Sequence, residues 1–240
     1  MKRVFLLFAA VLALMPAALR AQRLEAIGVG TSFNISQTRA RESTIQVDKY
    51  LFRADDDGSR LDDTGNRYSV FARLKLGAGR VFVQPEVAYT SVLGNQSSIT
   101  YFDNPLSPYP NNVYLYPRLR RVEVAGLAGV RVGRRQKTYL LAGPVLARYV
   151  AAERQGGATA IEALQASIYG SQLPTQVLGQ LGIGWQLGRF DLNARYERSL
   201  TPYSREFRYQ GQTYAYRQRS GQALFTAGFL LYDQHRPWRK

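Results

Sequence analysis

No cysteine occurs in the 240-residue chain. That excludes a disulfide framework, thiol nucleophiles, thiolate-held metals and a lipid-anchoring N-terminal cysteine. Histidine is nearly as scarce. His235 stands alone near the C-terminus, so a histidine metal cluster is excluded and a Ser–His acyl-transfer pair has one badly placed candidate base. Acids are few, 17 against 32 lysines and arginines, for a net charge of +15. Such an excess points to an anionic neighbour. Long apolar runs are missing too. After residue 21 no stretch approaches the ~20 apolar residues that a spanning helix needs.

The one apolar run lies at the start. MKRVFLLFAAVLALMPAALRAQ sets Lys2 and Arg3 before residues 4–15, with Pro16 and small residues behind. This is the pattern of a cleaved secretory signal, and the run is too short to span. Cleavage after Ala21 removes the charges of Lys2, Arg3 and Arg20, leaving +15 less 3, or +12, on residues 22–240, which read as one domain.

What fills that domain is period-two alternation. In RFDLNARYERSL (189–200), Phe190, Leu192, Ala194, Tyr196 and Leu200 share one parity, and Asp191, Asn193, Arg195, Glu197 and Ser199 the other. Such a stretch is a β-strand with one apolar and one polar face. Eight segments read this way: 24–35, 66–78, 80–93, 119–132, 138–151, 176–187, 189–201 and 219–232. In the second, Tyr68, Val70, Ala72, Leu74 and Leu76 oppose Arg67, Ser69, Phe71, Arg73 and Lys75. The links alternate strictly between short and long. Tight glycine turns near 77–80, 133–137 and 188–189 separate long links at 36–65, 94–118, 152–175 and 202–218. A soluble sandwich has no reason to sort its loops by length, whereas a barrel crossing an outer membrane has short periplasmic turns, long outer loops and both termini on the turn side. The fold expected is all-β: an eight-stranded antiparallel up-and-down transmembrane β-barrel in the cell outer membrane. A short helix is expected in one outer loop, where Ile161, Leu164 and Ile168 recur at helical spacing.

Aromatic residues are expected to girdle both rims on the outward parity. Tyr139, Trp185 and Phe190 fall at the turn end, and Tyr68, Tyr89, Tyr149 and Tyr196 at the loop end. The opposite parity assigns Arg67, Arg73, Lys75, Glu86, Glu123, Arg131, Arg148, Asp191, Arg195 and Glu197 to the interior. They could line a transport path or a catalytic cluster. The favoured reading is a plug, since eight strands leave an interior only wide enough for side chains and enclosed charges must pair. Arg198, between Tyr196 and Leu200, either snorkels to lipid headgroups or marks a strand that ends one residue earlier.

The long links carry their own patterns. ADDDGSRLDD (54–63) groups five aspartates but lacks the calcium-loop spacing, so it reads as a solvated acidic loop rather than a cation site. The fourth link interleaves Tyr203, Tyr209, Tyr214 and Tyr216 with Arg205, Arg208, Arg217 and Arg219. Single-stranded nucleic acid could use such a surface, but a protein or glycan contact suits a surface loop better, and no nucleic-acid partner is expected.

VFVQPEVAYTS (81–91), LLAGPVLARYV (140–150) and LGIGWQLGRFDLNARYERSLTP (181–202) resemble the Bacteroidetes outer-membrane β-barrel domain family, the PorT-like group. That family shows a Q-P-E-x-x-Y strand, an A-G-P strand, and a G-x-G strand followed by an R-Y strand. The resemblance implies a small outer-membrane barrel; one member type takes part in type IX secretion, and the family supplies no catalytic residues. Members commonly end on an aromatic soon after the last strand, whereas YDQHRPWRK continues here. Pro85 and Pro144, both inside family motifs, are expected to force a bulge at one or both sites.

The function expected is non-enzymatic surface interaction or envelope assembly through a closed barrel, with outer-membrane lipid and lipopolysaccharide as neighbours and no cofactor. The alternatives are a PorT-like secretion component, an exported lipocalin-like carrier with an apolar interior, and a lipid-modifying barrel enzyme.

Overall fold

The computed structural model describes residues 22–40, 44–54, 63–77, 79–93, 97–102, 110–115, 118–133, 137–151 and 159–234. The expected signal segment, the core of the acidic loop (55–62), part of the turn at 133–137, and His235 with the tail after it lie outside the described residues.

In chain order the elements are β1 (Gln22–Ala40), β2 (Thr44–Val47), β3 (Tyr50–Arg53), β4 (Asp63–Leu76) and β5 (Val81–Leu93). Then come β6 (Ser97–Tyr101), β7 (Asn111–Leu115), β8 (Arg118–Val132), β9 (Thr138–Ala151) and helix α1 (Ala160–Gly170). The chain continues through β10 (Thr175–Leu187), β11 (Phe190–Ser199), β12 (Glu206–Tyr209), β13 (Gln212–Ala215) and β14 (Gln218–Asp233). Eight of these strands close into an antiparallel barrel in the order β1-β14-β11-β10-β9-β8-β5-β4. First and last strands meet along a seam running from Ala26↔Asp233 to Ala40↔Gln218, so the sheet has no free edge.

The short turns carry glycines at positive φ, Gly77 at 61°, Gly133 at 79° and Gly188 at 65°. Side chains rarely adopt that left-handed backbone, and glycine does so without steric cost. Neither strand proline produces a bulge. The β4–β5 ladder keeps one register across Pro85, from Phe71↔Glu86 to Leu74↔Val83. The β8–β9 ladder does the same across Pro144, from Ala125↔Val145 to Ala128↔Ala142. Each proline removes a bond without inserting a residue. Gly126 stands opposite Pro85, and Gly143 packs close against the backbone of Gly126 and Leu127. The register shifts fall elsewhere, at Leu24/Ala26, Ile27/Gly28 and Arg120/Arg121.

Among the described residues, the long connections carry further regular structure. β2, β3, β6 and β7 form a four-stranded sheet, and β12 pairs with β13 as a hairpin. Together with α1 they enclose a second apolar core of Ile45, Val47, Tyr50, Phe52, Ile99, Leu115, Leu164, Ile168, Phe207, Tyr209 and Tyr216. This cap at the long-loop end is missing from the sequence reading. In the fourth link Tyr203, Tyr209 and Tyr216 are buried while the neighbouring arginines face solvent.

Helix α1 enters the cap through Leu164 and Ile168. Its start is a capping box. The Glu162 N–H donates to Thr159 Oγ1 at 3.3 Å, and the Thr159 N–H donates to Glu162 Oε2 at 2.9 Å. These bonds satisfy helix-start donors that would otherwise lack partners. They also hold the Glu162 carboxyl below its ordinary range, the Thr159 backbone contributing most. A depressed carboxyl stabilises the fold fully above its unfolded value and loses that contribution as pH falls through the folded value. Hydrogen-exchange protection at the Thr159 and Glu162 amides, measured relative to their intrinsic rates at each pH, is therefore expected to fall on acidification, and Glu162→Gln is expected to flatten that profile.

Candidate functional site

The barrel interior is the most highly charged buried volume of the protein. At the turn end, Arg131 Nη2 meets Glu25 Oε1 at 2.5 Å and Gln186 Oε1 at 3.0 Å. Next, Arg73 pairs with Asp191 at 2.7 Å and donates through Nε to Gln84 Oε1 at 2.8 Å. Its guanidinium lies 4.3 Å from the centroid of the Tyr139 ring, and the Tyr139 hydroxyl donates to Asp191 Oδ1. At mid-height Glu86 is the hub. It takes Arg67 Nη1 at 2.7 Å, Arg195 Nη1 at 2.9 Å and Gln84 Nε2 at 2.9 Å. Arg67 Nε bonds Glu123 at 2.8 Å, Arg121 bonds Glu123 at 2.6 Å, and Arg121 also reaches Glu197 at 2.7 Å. Gln222 and Gln180 donate to the Glu197 carboxylate from two further strands. Toward the loop end the relay becomes uncharged, as Tyr149 donates to Gln176, which donates to Ser199.

Strand alternation delivers these groups, because every second residue of β4, β5, β8 and β11 points inward. One side of the lumen wall is apolar. Phe82, Ala125, Leu127, Tyr139, Leu141, Val145, Ala147 and Leu178 form one buried cluster on β5, β8, β9 and β10. On that side the filling is hydrocarbon rather than salt bridge.

Arg67, Arg73, Glu86, Glu123, Arg131, Asp191, Arg195 and Glu197 all lie buried in the lumen, and Lys75 is half-buried near the turn end. Arg148 does not belong with them. It is exposed on the outer wall. Tyr139 and Tyr149, expected in the girdles, instead face inward, Tyr139 fully buried and Tyr149 bonded to Gln176. All three errors have one cause. LLAGPVLARYV is apolar on both parities, so alternation cannot say which face of β9 is inside. The other girdle residues, Tyr68, Tyr89, Trp185, Phe190 and Tyr196, are exposed on the outer wall. Arg198 is exposed there too, within a strand that continues to Ser199, so the earlier strand end is ruled out.

The sequence reading missed Arg121, Glu25, Gln84, Gln180 and Gln222. Arg121 shares a parity with Glu123 and was legible in principle, but the adjacent Arg120 blurred the pattern. Each carboxylate named above is held by at least one guanidinium or amide, whereas the buried side chains of Asn34, Ser69 and Thr90 have polar atoms without a hydrogen-bond partner. Among the described residues, no group of three or more His, Cys, Asp or Glu side chains is placed to hold a metal.

No protein-family model matches the chain, and no curated protein does. Among solved structures it is similar to Neisserial surface protein A, at 12% identity over 86% of this chain and 98% of that one, with a TM-score of 0.43. OprG of Pseudomonas aeruginosa, an outer membrane protein, matches at 9% identity over 88% of this chain and 98% of that one, TM-score 0.43. Ail, the attachment invasion locus protein of Yersinia pestis, matches at 14% identity over 86% and 99%, TM-score 0.38. Likenesses at this level carry no argument about function, and the barrel stands on its own strand pairing.

Proposed function

We propose that the chain is an exported, integral outer-membrane protein whose closed barrel anchors a folded cap at the cell surface, where the cap acts non-enzymatically in surface interaction or envelope assembly. One observation carries the reading: the protein is inverted with respect to water. Val124 is 50% and Ile183 52% exposed, while Arg67 and Arg73 are 0% exposed. In water an apolar outer wall forfeits about 25 cal/mol per Å² of the area left wet, and the charged interior returns little net stability. Hydrocarbon around the wall removes the first cost. A lipocalin-like carrier needs an open apolar interior, and this lumen is filled with ion pairs. An acyl-transfer enzyme needs a nucleophile with its base, and neither the lumen nor the wall presents that pair among the described residues.

The expected results are recovery in the Sarkosyl-insoluble fraction, a gel mobility that shifts on heating, and little or no single-channel conductance. A processed chain that stays dissolved without detergent overturns the reading. Val124→Arg supplies the energetic test. On a lipid-facing strand centre it is expected to cost about 2–4 kcal/mol, read as a lowered urea midpoint in vesicles. At a water-exposed site the same change is close to neutral.

A second reading, a PorT-like role beside a secretion machine, is supported by the three family-like motifs. Co-purification of the tagged protein with secretion components is its test.

A further inference from the structure

The geometry points to the turn-end mouth of the barrel as a docking site for an acidic peptide segment that presents several clustered carboxylates. The site rests on the membrane reading above, which places this end in the periplasm.

Five cations converge there. Arg23 and Lys75 stand one residue inside the turn ends of β1 and β4, and Arg80, Lys137 and Arg189 one residue ahead of β5, β9 and β11. All five fall on the inward parity. Lys75 is two residues from buried Arg73 and pairs across the sheet with Arg23. Arg80 is two residues from buried Phe82, Lys137 from buried Tyr139, and Arg189 from buried Asp191. Two ladder bonds carry the pattern past the strand ends. The Arg131 N–H donates to the Arg80 carbonyl at 2.9 Å, and the Gln186 N–H to the Lys137 carbonyl at 2.8 Å. Eight strands ~4.8 Å apart and tilted ~40° close a ring about 16 Å across, so long side chains rooted on opposite walls lean over one opening.

The acids of this end are already spent. Among the described residues they are Glu25, Asp191 and Asp233, and all three are buried. Arg131 holds Glu25 at 2.5 Å, Arg73 holds Asp191 at 2.7 Å, and Asp233 accepts from Gln186 at 3.3 Å. Arg189 is tied back to the carbonyls of Leu230 and Leu231. Arg23, Lys75, Arg80 and Lys137 make no ion pair with any described residue. Arg23 and Lys75 even stand directly opposite one another. Like charges in that position destabilise a sheet, and an anion between them removes the cost.

The surroundings select the partner. Lipid headgroups lie outside the ring, whereas inward parity sets these side chains over the barrel axis. The floor is shut. The Arg131–Glu25 and Arg73–Asp191 pairs and buried Leu230 fill the lumen beneath, so an occupant rests on the mouth without passing through. The four cations without an ion pair come from four separate strands. Two of them are lysines, point charges rather than the forks that grip a single phosphate bidentately. Carboxylates spread along one chain suit that arrangement, since alternate side chains of an extended peptide stand about 6.6 Å apart on one face.

The test uses the full processed chain in phosphatidylcholine nanodiscs, which leave both ends open to solution. The probe is a hexaglutamate peptide carrying a fluorophore and a photo-crosslinker, with hexaglutamine as its neutral counterpart. The unaltered protein is expected to bind hexaglutamate about tenfold more tightly than hexaglutamine, to release it as salt is raised, and to take the crosslink within residues 22–26, 73–82 and 137–141. Arg23→Gln/Lys75→Gln/Arg80→Gln/Lys137→Gln is expected to lose about tenfold in affinity while keeping its heat-shifted mobility. Arg205→Gln/Arg208→Gln/Arg217→Gln/Arg219→Gln removes the same charge from exposed positions at the loop end and is expected to bind like the unaltered protein. Equal losses in the two variants overturn the site, because net charge alone then explains the binding. Crosslinks confined to the loop end of the unaltered protein overturn it without needing any variant. Tighter binding of tripolyphosphate than of hexaglutamate makes the mouth a phosphate site, and loss of hexaglutamate binding on adding phosphatidylglycerol to the disc makes it a headgroup contact; either result overturns the peptide partner. A chain that enters the discs and heat-shifts, yet ignores hexaglutamate, sinks this site alone; a chain that stays dissolved without detergent sinks the membrane reading beneath it.

Discussion

Glu86→Ala is expected to lower barrel stability by about 3–5 kcal/mol, the cost of leaving partnered charges buried and alone. Glu86 holds Arg67 at 2.7 Å and Arg195 at 2.9 Å, and all three side chains are buried away from water. Removing the carboxylate leaves two guanidiniums facing each other in a closed interior. Glu86→Gln keeps the volume and one acceptor and is expected to fall between. Glu197 accepts Arg121 at 2.7 Å and Gln222 at 2.6 Å, so the Glu86→Ala/Glu197→Ala double variant breaks two nodes that share Arg67, Arg121 and Glu123 as intermediates. Its loss is therefore expected to differ from the sum of the single losses. The measurement is the urea midpoint of the heat-shifted gel band in micelles. A double variant as stable as the unaltered protein rejects the plug and reopens the transport path as a role for these charges.

Phe52→Ala is expected to dissolve the cap and leave the barrel standing. Phe52 is fully buried, with ring centroids 6.2 Å from Phe207 and 5.2 Å from Tyr216. It joins the β2–β3 hairpin from the first long connection to the β12–β13 hairpin from the last. Truncating a buried phenylalanine costs about 3–5 kcal/mol, a large share of what so small a core holds. The expected readout is rapid proteolysis within residues 44–53, 97–101, 111–115 and 206–216 from the loop side, with the barrel's heat-shifted mobility unchanged. If both change together, cap and barrel form one cooperative unit rather than two.

The barrel was largely legible in the sequence because its strands are long and its faces differ. In β11, the buried row Asp191, Asn193, Arg195, Glu197 and Ser199 and the exposed row Leu192, Tyr196 and Leu200 follow the written alternation. Glycines set the turns, and loop length sorted the ends. Two things were not legible. β9 is apolar on both faces because its inner face contributes Tyr139, Leu141, Val145 and Ala147 to the hydrocarbon side of the lumen. Alternation marks contrast, and that strand has none. The cap was hidden for a different reason. Its strands β2, β3, β12 and β13 are only 4 residues long, too short for periodicity to register. The sheet also joins β3 to β6 across distant segments, Leu51 to Thr100. The Tyr–Arg pattern of the fourth link was visible but ambiguous. Alternation on a hairpin explains it: rings turn in to the cap core, guanidiniums turn out.

The cap core draws on all four long connections, from Ile45 in the first to Tyr216 in the last. Its aromatic packing cannot be completed early. Until the final hairpin is in place, Tyr50 lacks its contact with Tyr209 and Phe52 its contacts with Phe207 and Tyr216, and contacts this distant along the chain form slowly. An insertion that stalls midway thus leaves a sticky, half-dressed end on the far side of the bilayer. Completion of β14 both zips the first strand to the last and shuts that end, so maturity of the whole molecule is registered in a single late event.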